Sequence, residues 1–331
     1  MKHVNKAAEV KNFALVYSVD QGFLPLACIS IASLVENNVG TLPHVTILLH
    51  DVDASSKYRA ELFLARFELD VDFVEVDGTW CEPWASARGK SQAMFGILRF
   101  DEFLRNLSDR VIIIDADTRF VDDIGPLAQL DLGETPLAAV NDTAVISDDR
   151  VEVITNKLGV PKGAGYFNSG LLVVDSLKWT NHEIGQEAIS VLRDRPHILT
   201  FNDQCALNAV LQGGYTRLGY RWNHLVGSTP RHWPVSIYHY AGLLKPWRLF
   251  GARRRSALRG LISSEHFEYY KTKSDELKWH KPLVQSGLAG TVKSHLRVNR
   301  LAFSGRIESF HRRQTSTHIA QSVASNPRLL D

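Results

Sequence analysis

Arg110-Val111-Ile112-Ile113-Ile114-Asp115-Ala116-Asp117-Thr118-Arg119-Phe120 is the most informative stretch of the sequence. Its consecutive β-branched residues predict a strand buried on both faces, as in a parallel or mixed α/β sheet, because a half-exposed strand would alternate. Ligands of open α/β sheets bind beyond the carboxyl ends of strands. Asp115 and Asp117 therefore stand where a site is expected, and their spacing lets both approach one divalent cation. A strand followed by an Asp-rich turn is the competing interpretation.

Alternating strands and helices precede this stretch. Strands are predicted at residues 13–19, 45–50 and 71–76, and helices at 24–36 and 55–67. We expect Ser55 or Ser56 to be the N-cap of the second helix. A βαβαβ opening is typical of a nucleotide-binding α/β half. Neither G-x-G-x-x-G nor a Walker lysine loop occurs, which argues against a dinucleotide fingerprint and a P-loop.

Polar residues recur at the predicted ends of later elements. Apolar spacing predicts a helix over 90–106, and a short strand at 137–140 precedes Asn141-Asp142. The pair Asn168-Ser169 stands before an apolar strand. A buried polar pair needs hydrogen-bond partners, which either the backbone or a ligand can supply.

Two further segments have both a structural and a functional interpretation. Asn202 is a plausible N-cap of a helix, with Asp203 at the positive helix end and Gln204 on the surface of the first turn. His239 ends a short strand at 236–239. A histidine at a strand end is more often structural than a ligand, so neither segment identifies a site by itself.

Composition favours a reducing compartment. The chain has 331 residues, 44% of them hydrophobic, and its three cysteines show no C-x-x-C spacing. A disulfide framework or a structural zinc site is therefore not expected. Residues 1–12 lack the apolar core of a signal peptide, and the longest apolar window, 23–35, is too short to cross a bilayer. We expect a soluble, cytoplasmic protein.

Charge is distributed unevenly along the chain. Residues 1–247 hold 22 Lys/Arg and 30 Asp/Glu, whereas residues 248–331 hold 16 and 6. The net charges are −8 and +10. A basic tail behind an acidic body predicts an anionic partner, although a solvated basic helical tail fits equally well. Because no nucleic-acid motif is present, we expect contact with an anionic membrane rather than with nucleic acid.

Four segments, in this order, resemble the family-8 retaining glycosyltransferases, which include bacterial lipopolysaccharide galactosyl- and glucosyltransferases and glycogenin. The segments are Ile114–Asp117, Tyr166–Gly170, Asp203–Asn208 and His239–Trp247. The last one is the most specific, since His-x-x-Gly-x-x-Lys-Pro-Trp is hard to obtain by chance.

The resemblance covers about residues 12–250 and implies a GT-A fold, with a central mixed, mostly parallel sheet flanked by helices. We therefore expect a catalytic domain at residues 1–250 and a basic, mainly helical extension at 251–331.

The resemblance also implies a metal and a leaving-group site. Asp115, Asp117 and His239 would bind Mn²⁺ or Mg²⁺, and the metal would bridge the two phosphates of a UDP-sugar. Lys245, with the Gly242 backbone nearby, would take the diphosphate as it leaves.

The donor sugar has its own set of implied contacts. Asn168 and Ser169 would face the sugar, Asp203 would bind its hydroxyls, and Gln204 would lie beneath the anomeric carbon. The other donor-site candidates are Asp20 in the loop that contacts uridine, Ala116 near the ribose, and Asp142.

The chemistry is consistent with these roles. Breaking a glycosyl–phosphate bond requires charge neutralisation on a diphosphate, which a metal and Lys245 would supply. The anomeric carbon develops oxocarbenium character. Because the amide of Gln204 is a poor nucleophile, we favour front-face substitution with retention, in which the departing phosphate oxygen assists the acceptor. Asp203 acting as a nucleophile is the alternative mechanism.

One departure from the family pattern concerns the donor site. The family usually presents an Arg followed by Leu before the Asp-X-Asp, and the matching place here is near Ile97, with Arg99 displaced by two positions. A helical shift of two positions turns a side chain by about 200°, so Arg99 is not expected to substitute.

This departure leaves two functional hypotheses. The first is transfer of galactose or glucose from a UDP-hexose to a glycan acceptor, possibly lipid-linked, such as lipopolysaccharide. The second is a nucleotide- or glycan-binding relative with weak or no transferase activity.

Overall fold

A seven-stranded sheet runs through the centre of the protein. The computed structural model describes residues 13–40, 42–81, 83, 85, 91–104, 108–146, 151–230, 232–241, 245–248 and 263–278. The strands are β1 (Phe13–Asp20), β2 (His44–His50), β3 (Val71–Glu75), β4 (Arg110–Ile114), β5 (Thr118–Phe120), β6 (Leu137–Asn141), β7 (Phe167–Asp175), β8 (Thr216–Leu218), β9 (His224–Leu225) and β10 (Ile237–His239).

The central sheet is mixed and mostly parallel, with the strand order β3-β2-β1-β4-β7-β6-β8. Strands β1 to β4 pair in parallel, β7 runs antiparallel to both β4 and β6, and β8 is parallel to β6. A smaller sheet has the order β5-β10-β9. The predicted mixed α/β sheet is confirmed.

Helices flank the central sheet. They are α1 (Leu24–Asn37), α2 (Ala54–Leu64), α3 (Ala93–Gly96), α4 (Phe100–Phe103), α5 (Gly125–Ala128), α6 (Thr143–Ile146), α7 (Val151–Leu158), α8 (Ser176–Asn181), α9 (Ile184–Asp194), α10 (Asn202–Leu211) and α11 (Ser264–Glu276). Single 3₁₀ turns occur at Thr79–Cys81, Ile97–Arg99, Pro196–Ile198, Tyr220–Asn223 and Pro246–Arg248. None of the described helices combines the length and the apolar character needed to cross a membrane.

Strand β4 lies between two hydrophobic clusters, one on each face of the sheet. Ile112 and Ile114 pack in the cluster that contains residues of α1, α2 and α11. Val111 and Ile113 pack in the cluster that contains residues of α9 and α10. Every residue of β4 is buried, which confirms the strand buried on both faces.

The start of α2 differs from the prediction. Asp53, rather than Ser55 or Ser56, is the N-cap, and its Oδ1 accepts a hydrogen bond from the Ser56 N–H at 2.7 Å. An aspartate with extended backbone placed before the first turn accepts such a bond readily. The serines lie within the first turn instead.

The helix predicted over 90–106 is confirmed only as an irregular helical segment over residues 93–103. The segment contains α3, the 3₁₀ turn Ile97–Arg99 and α4, and its residues 90 and 105–106 lie outside the described part of the chain. Ser18 Oγ donates to the Ala93 carbonyl at 2.7 Å. In a regular helix that carbonyl would accept from the Ile97 N–H, which instead bonds to Phe95. The tertiary contact with Ser18 thus lies where the regular helical hydrogen bonding changes.

Candidate active site

Asp115, Asp117 and His239 meet at the carboxyl end of β4. The two aspartates lie in the turn between β4 and β5, and the antiparallel pairing of β5 with β10 sets His239 opposite Thr118. His239 Nε2 lies 3.4 Å from Asp115 Oδ2 and 3.2 Å from Asp117 Oδ1. One ligand atom from each residue falls within 4.8 Å of the others.

The His239 ring is oriented by a second hydrogen bond. Its Nδ1 lies 2.9 Å from Asn223 Oδ1, an acceptor, so Nδ1 carries a proton and Nε2 faces the carboxylates. Asn223 Nδ2 donates to Asn168 Oδ1 at 2.9 Å, which fixes the amide orientation. Metal-binding histidines are commonly held in this way through the other nitrogen. Asn223 was not predicted as a site residue, because a single Asn in a 3₁₀ turn carries no motif.

The negative charge of the two aspartates is neutralised by cationic side chains of the same cluster. Burial would lower the pKa of His239, but Asp117 and Asp115 outweigh burial and raise that pKa to about 9. Burial would raise the pKa of Asp117, but Lys245 and His239 hold it well below its usual range. Lys245 Nζ forms an ion pair with Asp117 Oδ2. The imidazolium and the ammonium therefore balance the two carboxylates.

This donor set fits a hard divalent cation. Two carboxylate oxygens and one imidazole nitrogen are ligands that Mn²⁺ and Mg²⁺ accept. The Asp117 and His239 side chains are 9% and 3% exposed, whereas that of Asp115 is 50% exposed. The ligand cluster is therefore closed on the protein side and open on one side, where a substrate oxygen can complete the coordination.

A second polar cluster joins the start of α10 to the start of β7. Ser169 Oγ donates to Asp203 Oδ2 at 2.8 Å. Asn168 Nδ2 donates to Gln204 Oε1 at 3.0 Å, and Gln204 Nε2 donates to Asp142 Oδ2 at 3.0 Å. All five side chains are buried. The interpretation of Gln204 as a surface residue is wrong, because α10 packs its first turn against β7.

Burial controls the protonation of Asp203. It raises the pKa of this carboxyl to about 7, the Ser169 hydrogen bond opposes the rise, and the nearby Asp115 adds to it. Near neutral pH, Asp203 therefore exists as both carboxylic acid and carboxylate, and the acid form can donate a hydrogen bond.

The predicted N-cap at Asn202 is wrong. Phe201 occupies the cap position, without a side-chain cap bond, and Asn202 begins the helix with φ at +43°. Asparagine adopts this left-handed region more readily than most residues. The conformation directs Asn202 Nδ2 to Met94 Sδ at 3.2 Å, which joins α10 to α3.

Both polar clusters border one cavity of about 350 Å³. The cavity is lined by Ser18, Asp20, Phe23, Ser91, Ala93, Met94, Ile97, Ile114, Asp115, Ala116, Asp117, Ser169, Thr200, Phe201, Asn202, Asp203 and Gln204. Its wall is acidic at the carboxyl end of β4 and apolar on the side of α3. Ser18, Met94 and Phe201 were not singled out from the sequence, because no motif marks them.

Eleven of the twelve predicted site residues lie in the described part of the chain, and they fall into two groups. Seven of them line the cavity, namely Asp20, Asp115, Ala116, Asp117, Ser169, Asp203 and Gln204. Asp142, Asn168, His239 and Lys245 contact members of this group without lining the cavity. Gly242 lies outside the described residues. Asp142 supports Gln204 and Asn168, so direct contact with a donor stays a prediction for it.

The position of the absent arginine is apolar. Ile97 lines the cavity together with Ala93 and Met94. Arg99 does not line it, and its Nε donates to Glu102 Oε1 at 2.7 Å. This matches the expectation that Arg99 does not take the place of the family's arginine.

The fold is of the GT-A type, the class in which a comparison with solved structures places it. The chain overlays the galactosyltransferase LgtC, solved in complex with donor and acceptor sugar analogs, with a TM-score of 0.63 and 22% identity. The overlay covers 78% of this chain and 99% of LgtC. At that identity the comparison establishes the GT-A fold.

Residues 14–250 match the model of Glycosyl transferase family 8, and the chain belongs to that family. It is 28% identical to General stress protein A of Bacillus subtilis over 59% of this chain and 73% of the relative. It is 26% identical to the lipopolysaccharide 1,2-glucosyltransferase of Escherichia coli K12 over 70% of this chain and 72% of the relative. It is 24% identical to the lipopolysaccharide 1,3-galactosyltransferase of Salmonella typhimurium over 74% of this chain and 76% of the relative. The chain is therefore a glycosyltransferase.

Proposed function

We propose that this glycosyltransferase moves a hexose from a UDP-sugar to a glycan acceptor, with retention and with a divalent metal. One observation carries the proposal: the Asp115-Asp117-His239 cluster and the Asp203-Gln204 pair border the same cavity. The first group suits a diphosphate and the second suits a sugar. Galactose or glucose is the proposed hexose, because relatives of the chain are named for transfer of these sugars.

Asp115, Asp117 and His239 would hold Mn²⁺ or Mg²⁺. When bound, the ion supplies positive charge to a diphosphate leaving group. Asn223 keeps the His239 ring in place through Nδ1, and buried Asp117 stays ionised. Lys245 sets a second positive charge beside Asp117, where it can receive the departing phosphate oxygens.

Gln204 and Asp203 would define the sugar end of the site. The amide of Gln204 is held by Asp142 and Asn168 and faces the cavity without a carboxylate's nucleophilicity. Asp203, with its pKa near 7, is suited to hydrogen-bonding sugar hydroxyls in either form. This arrangement supports front-face substitution, in which the acceptor hydroxyl attacks on the side that the diphosphate leaves.

The test is a panel of UDP-sugars assayed with Mn²⁺ and read out as released UDP. Asp117→Asn should lower turnover by at least about 100-fold, since loss of an inner ligand costs more than loss of an outer one. Asp70→Asn removes an exposed aspartate paired with His44 and serves as the matched control. Unchanged turnover in Asp117→Asn, or wild-type turnover unaffected by EDTA, would contradict the metal role.

The second candidate is a relative that binds nucleotide or glycan but transfers sugar weakly. The apolar side of the cavity, with Ile97 where the family's arginine is expected, favours it. Saturable UDP binding in calorimetry, with no UDP release from any sugar in the panel, would support this second candidate over the first.

The acceptor and the location of the enzyme are also proposals. Lipopolysaccharide or another surface glycan is the proposed acceptor, as the names of the relatives suggest. Residues 1–250 are the proposed catalytic domain and 251–331 the basic extension. Attachment of that extension to the cytoplasmic face of an anionic membrane stays a prediction, because residues 279–331 lie outside the described part of the chain.

A further inference from the structure

Helix α11 lies beyond the end of the family match, yet it packs against the strands that carry the metal-ligand candidates. The match ends at residue 250, and α11 runs from Ser264 to Glu276. His266, Phe267 and Tyr270 of this helix are buried. Tyr270 Oη donates to the Thr118 carbonyl at 3.1 Å, directly after Asp117.

A single atom of His266 contacts both β5 and the residue that follows β10. Its Nδ1 lies 3.0 Å from Arg119 Nη1 in β5 and 2.7 Å from Tyr240 Oη, directly after β10. A guanidinium can only donate, so Nδ1 must be the acceptor and the ring is neutral. Burial, followed by the charge of Arg119, lowers the pKa of His266 to about 4, in agreement with this assignment.

The two partners of His266 are neighbours of the ligands. Arg119 follows Asp117 by two residues, and Tyr240 follows His239 directly. The Tyr240 N–H donates to the Asp117 carbonyl at 2.9 Å, so the two ligand-bearing segments are also joined through the backbone. Because side chains alternate along a strand, Tyr240 points away from the face that His239 uses. His266 thus links β5 to the end of β10 on the side opposite the His239 side chain.

We infer that His266 is a positioning residue for the metal site, acting on Asp117 through Arg119 and on His239 through Tyr240. The inference rests on the proposed metal role of these ligands. A metal site needs its ligands held within about 0.5 Å of the binding geometry. Without the Nδ1 acceptor, buried Arg119 keeps its bond to Glu265 but loses one partner, and buried Tyr240 also loses one, so both segments are held less firmly.

The experiment compares His266→Leu with His266→Asn in the full chain. Leucine keeps the volume but has no acceptor, whereas asparagine can place Oδ1 near the position of Nδ1. Mn²⁺ affinity is measured by calorimetry, and kcat and the KM for Mn²⁺ by UDP release. We expect His266→Leu to raise the Kd for Mn²⁺ by about tenfold, the low end for outer residues of metal sites. His266→Asn should restore most of the affinity.

Glu276→Gln is the matched control on the same helix. Glu276 pairs with Arg66 at 3.1 Å and with Lys273 at 3.3 Å, and neither partner belongs to β5 or β10. This variant tests whether the loss of a contact elsewhere on α11 is enough to weaken Mn²⁺ binding. We expect its Mn²⁺ affinity to equal that of the wild type, with kcat at saturating Mn²⁺ unchanged.

The outcomes separate the inference from the proposed function. Equal Mn²⁺ affinity in folded His266→Leu and wild type would overturn the inference alone, whereas a wild type without Mn²⁺ binding would overturn the proposed metal role. If His266→Leu does not fold, Tyr240→Phe decides, because it removes one of the two hydrogen bonds and keeps the ring. Unchanged Mn²⁺ affinity in Tyr240→Phe would then refute the role of His266.

Discussion

The side chain of Asp203 can be a carboxylic acid or a carboxylate, and the two forms suit different mechanisms. A nucleophile must be ionised, whereas a hydrogen-bond donor to a sugar hydroxyl must be protonated. Burial raises the pKa of Asp203 to about 7, so neither form dominates near neutral pH. Its Oδ2 is already the acceptor for Ser169 at 2.8 Å. Either form can hydrogen-bond a sugar hydroxyl, whereas only the carboxylate can attack the anomeric carbon, so we favour the binding role.

Asp203→Asn separates the two mechanisms. Asparagine retains hydrogen bonding but cannot form a glycosyl ester, so we expect turnover to fall by about 10- to 100-fold, the value of one or two polar contacts. Single-turnover UDP release with the preferred donor measures it. A loss of about 10⁴-fold or more, of the size seen when a nucleophile is removed, would instead favour a covalent intermediate on Asp203.

At the residue scale, the sequence identified side chains with a chemical motif and missed those without one. Asp115, Asp117 and His239 were predicted together and are adjacent in the structure. Asn223, which orients His239, was not predicted, because its role depends on a contact across 16 positions of the chain. The supporting position of Asp142 behind Gln204 depends in the same way on the packing of α10 against β7.

At the scale of elements, the segment from α3 to α4 combines an irregular helix with a close approach to the central sheet. Gly96 lies against β1 and β2, where an added Cβ would come within 2.4 Å of both Ser18 Oγ and His50 Nε2. The close approach lets Ser18 reach the Ala93 carbonyl. Ala93 and Ile97 then form the apolar side of the cavity.

Gly96→Ala tests this packing. The new methyl group must displace His50 or Ser18, so we expect a loss of about 1–3 kcal/mol in the free energy of unfolding, typical of overpacking. Urea denaturation measures the loss. Gly40→Ala is the control, since the nearest atom to its Cβ is 3.8 Å away. Equal stability of Gly96→Ala and wild type would show that Ser18 and His50 yield without cost.

The strands were predicted better than the helix ends, for physical reasons. An uninterrupted β-branched run such as Val111–Ile114 directly predicts a buried strand. The observed strand is longer by Arg110 alone. The α2 cap depended on whether Asp53 or a neighbouring serine reaches the first free N–H, which composition does not specify. The α3–α4 segment contacts Ser18, some 75 positions away in the chain, and local periodicity carries no information about such a contact.

At the scale of the whole molecule, three buried histidines, namely His50, His224 and His266, link the fold to pH. Burial lowers the pKa of each to about 4, with a second contribution from His266 at His224 and from Arg119 at His266. In the unfolded chain a histidine has a pKa near 6.5. Between these values the unfolded state binds more protons, so the stability contributed by neutral burial falls as the pH drops from 6.5 to 4.

His224→Phe isolates one of these groups. Phenylalanine cannot titrate, so the variant does not lose the stability that wild type loses at acid pH. The unfolding free energy of the variant minus that of wild type should therefore rise by up to about 3 kcal/mol between pH 7 and pH 4. Urea denaturation at several pH values measures the difference. Asp203, with its raised pKa, acts in the opposite direction in both proteins and cancels in the comparison. A difference that does not change with pH would contradict a neutral, buried His224.

The metal-ligand candidates and Lys245 extend from residue 115 to residue 245, about half of the described chain, and this has a consequence for synthesis. Asp115 and Asp117 leave the ribosome long before His239 and Lys245, the two cations that neutralise them. Domains form from the amino terminus while translation continues. A nascent chain that ends before residue 239 therefore presents two neighbouring carboxylates at the edge of a partial sheet, without their countercharges. Strand β10 brings His239 and the segment after it brings Lys245, so the two positive charges reach the aspartates only at that stage.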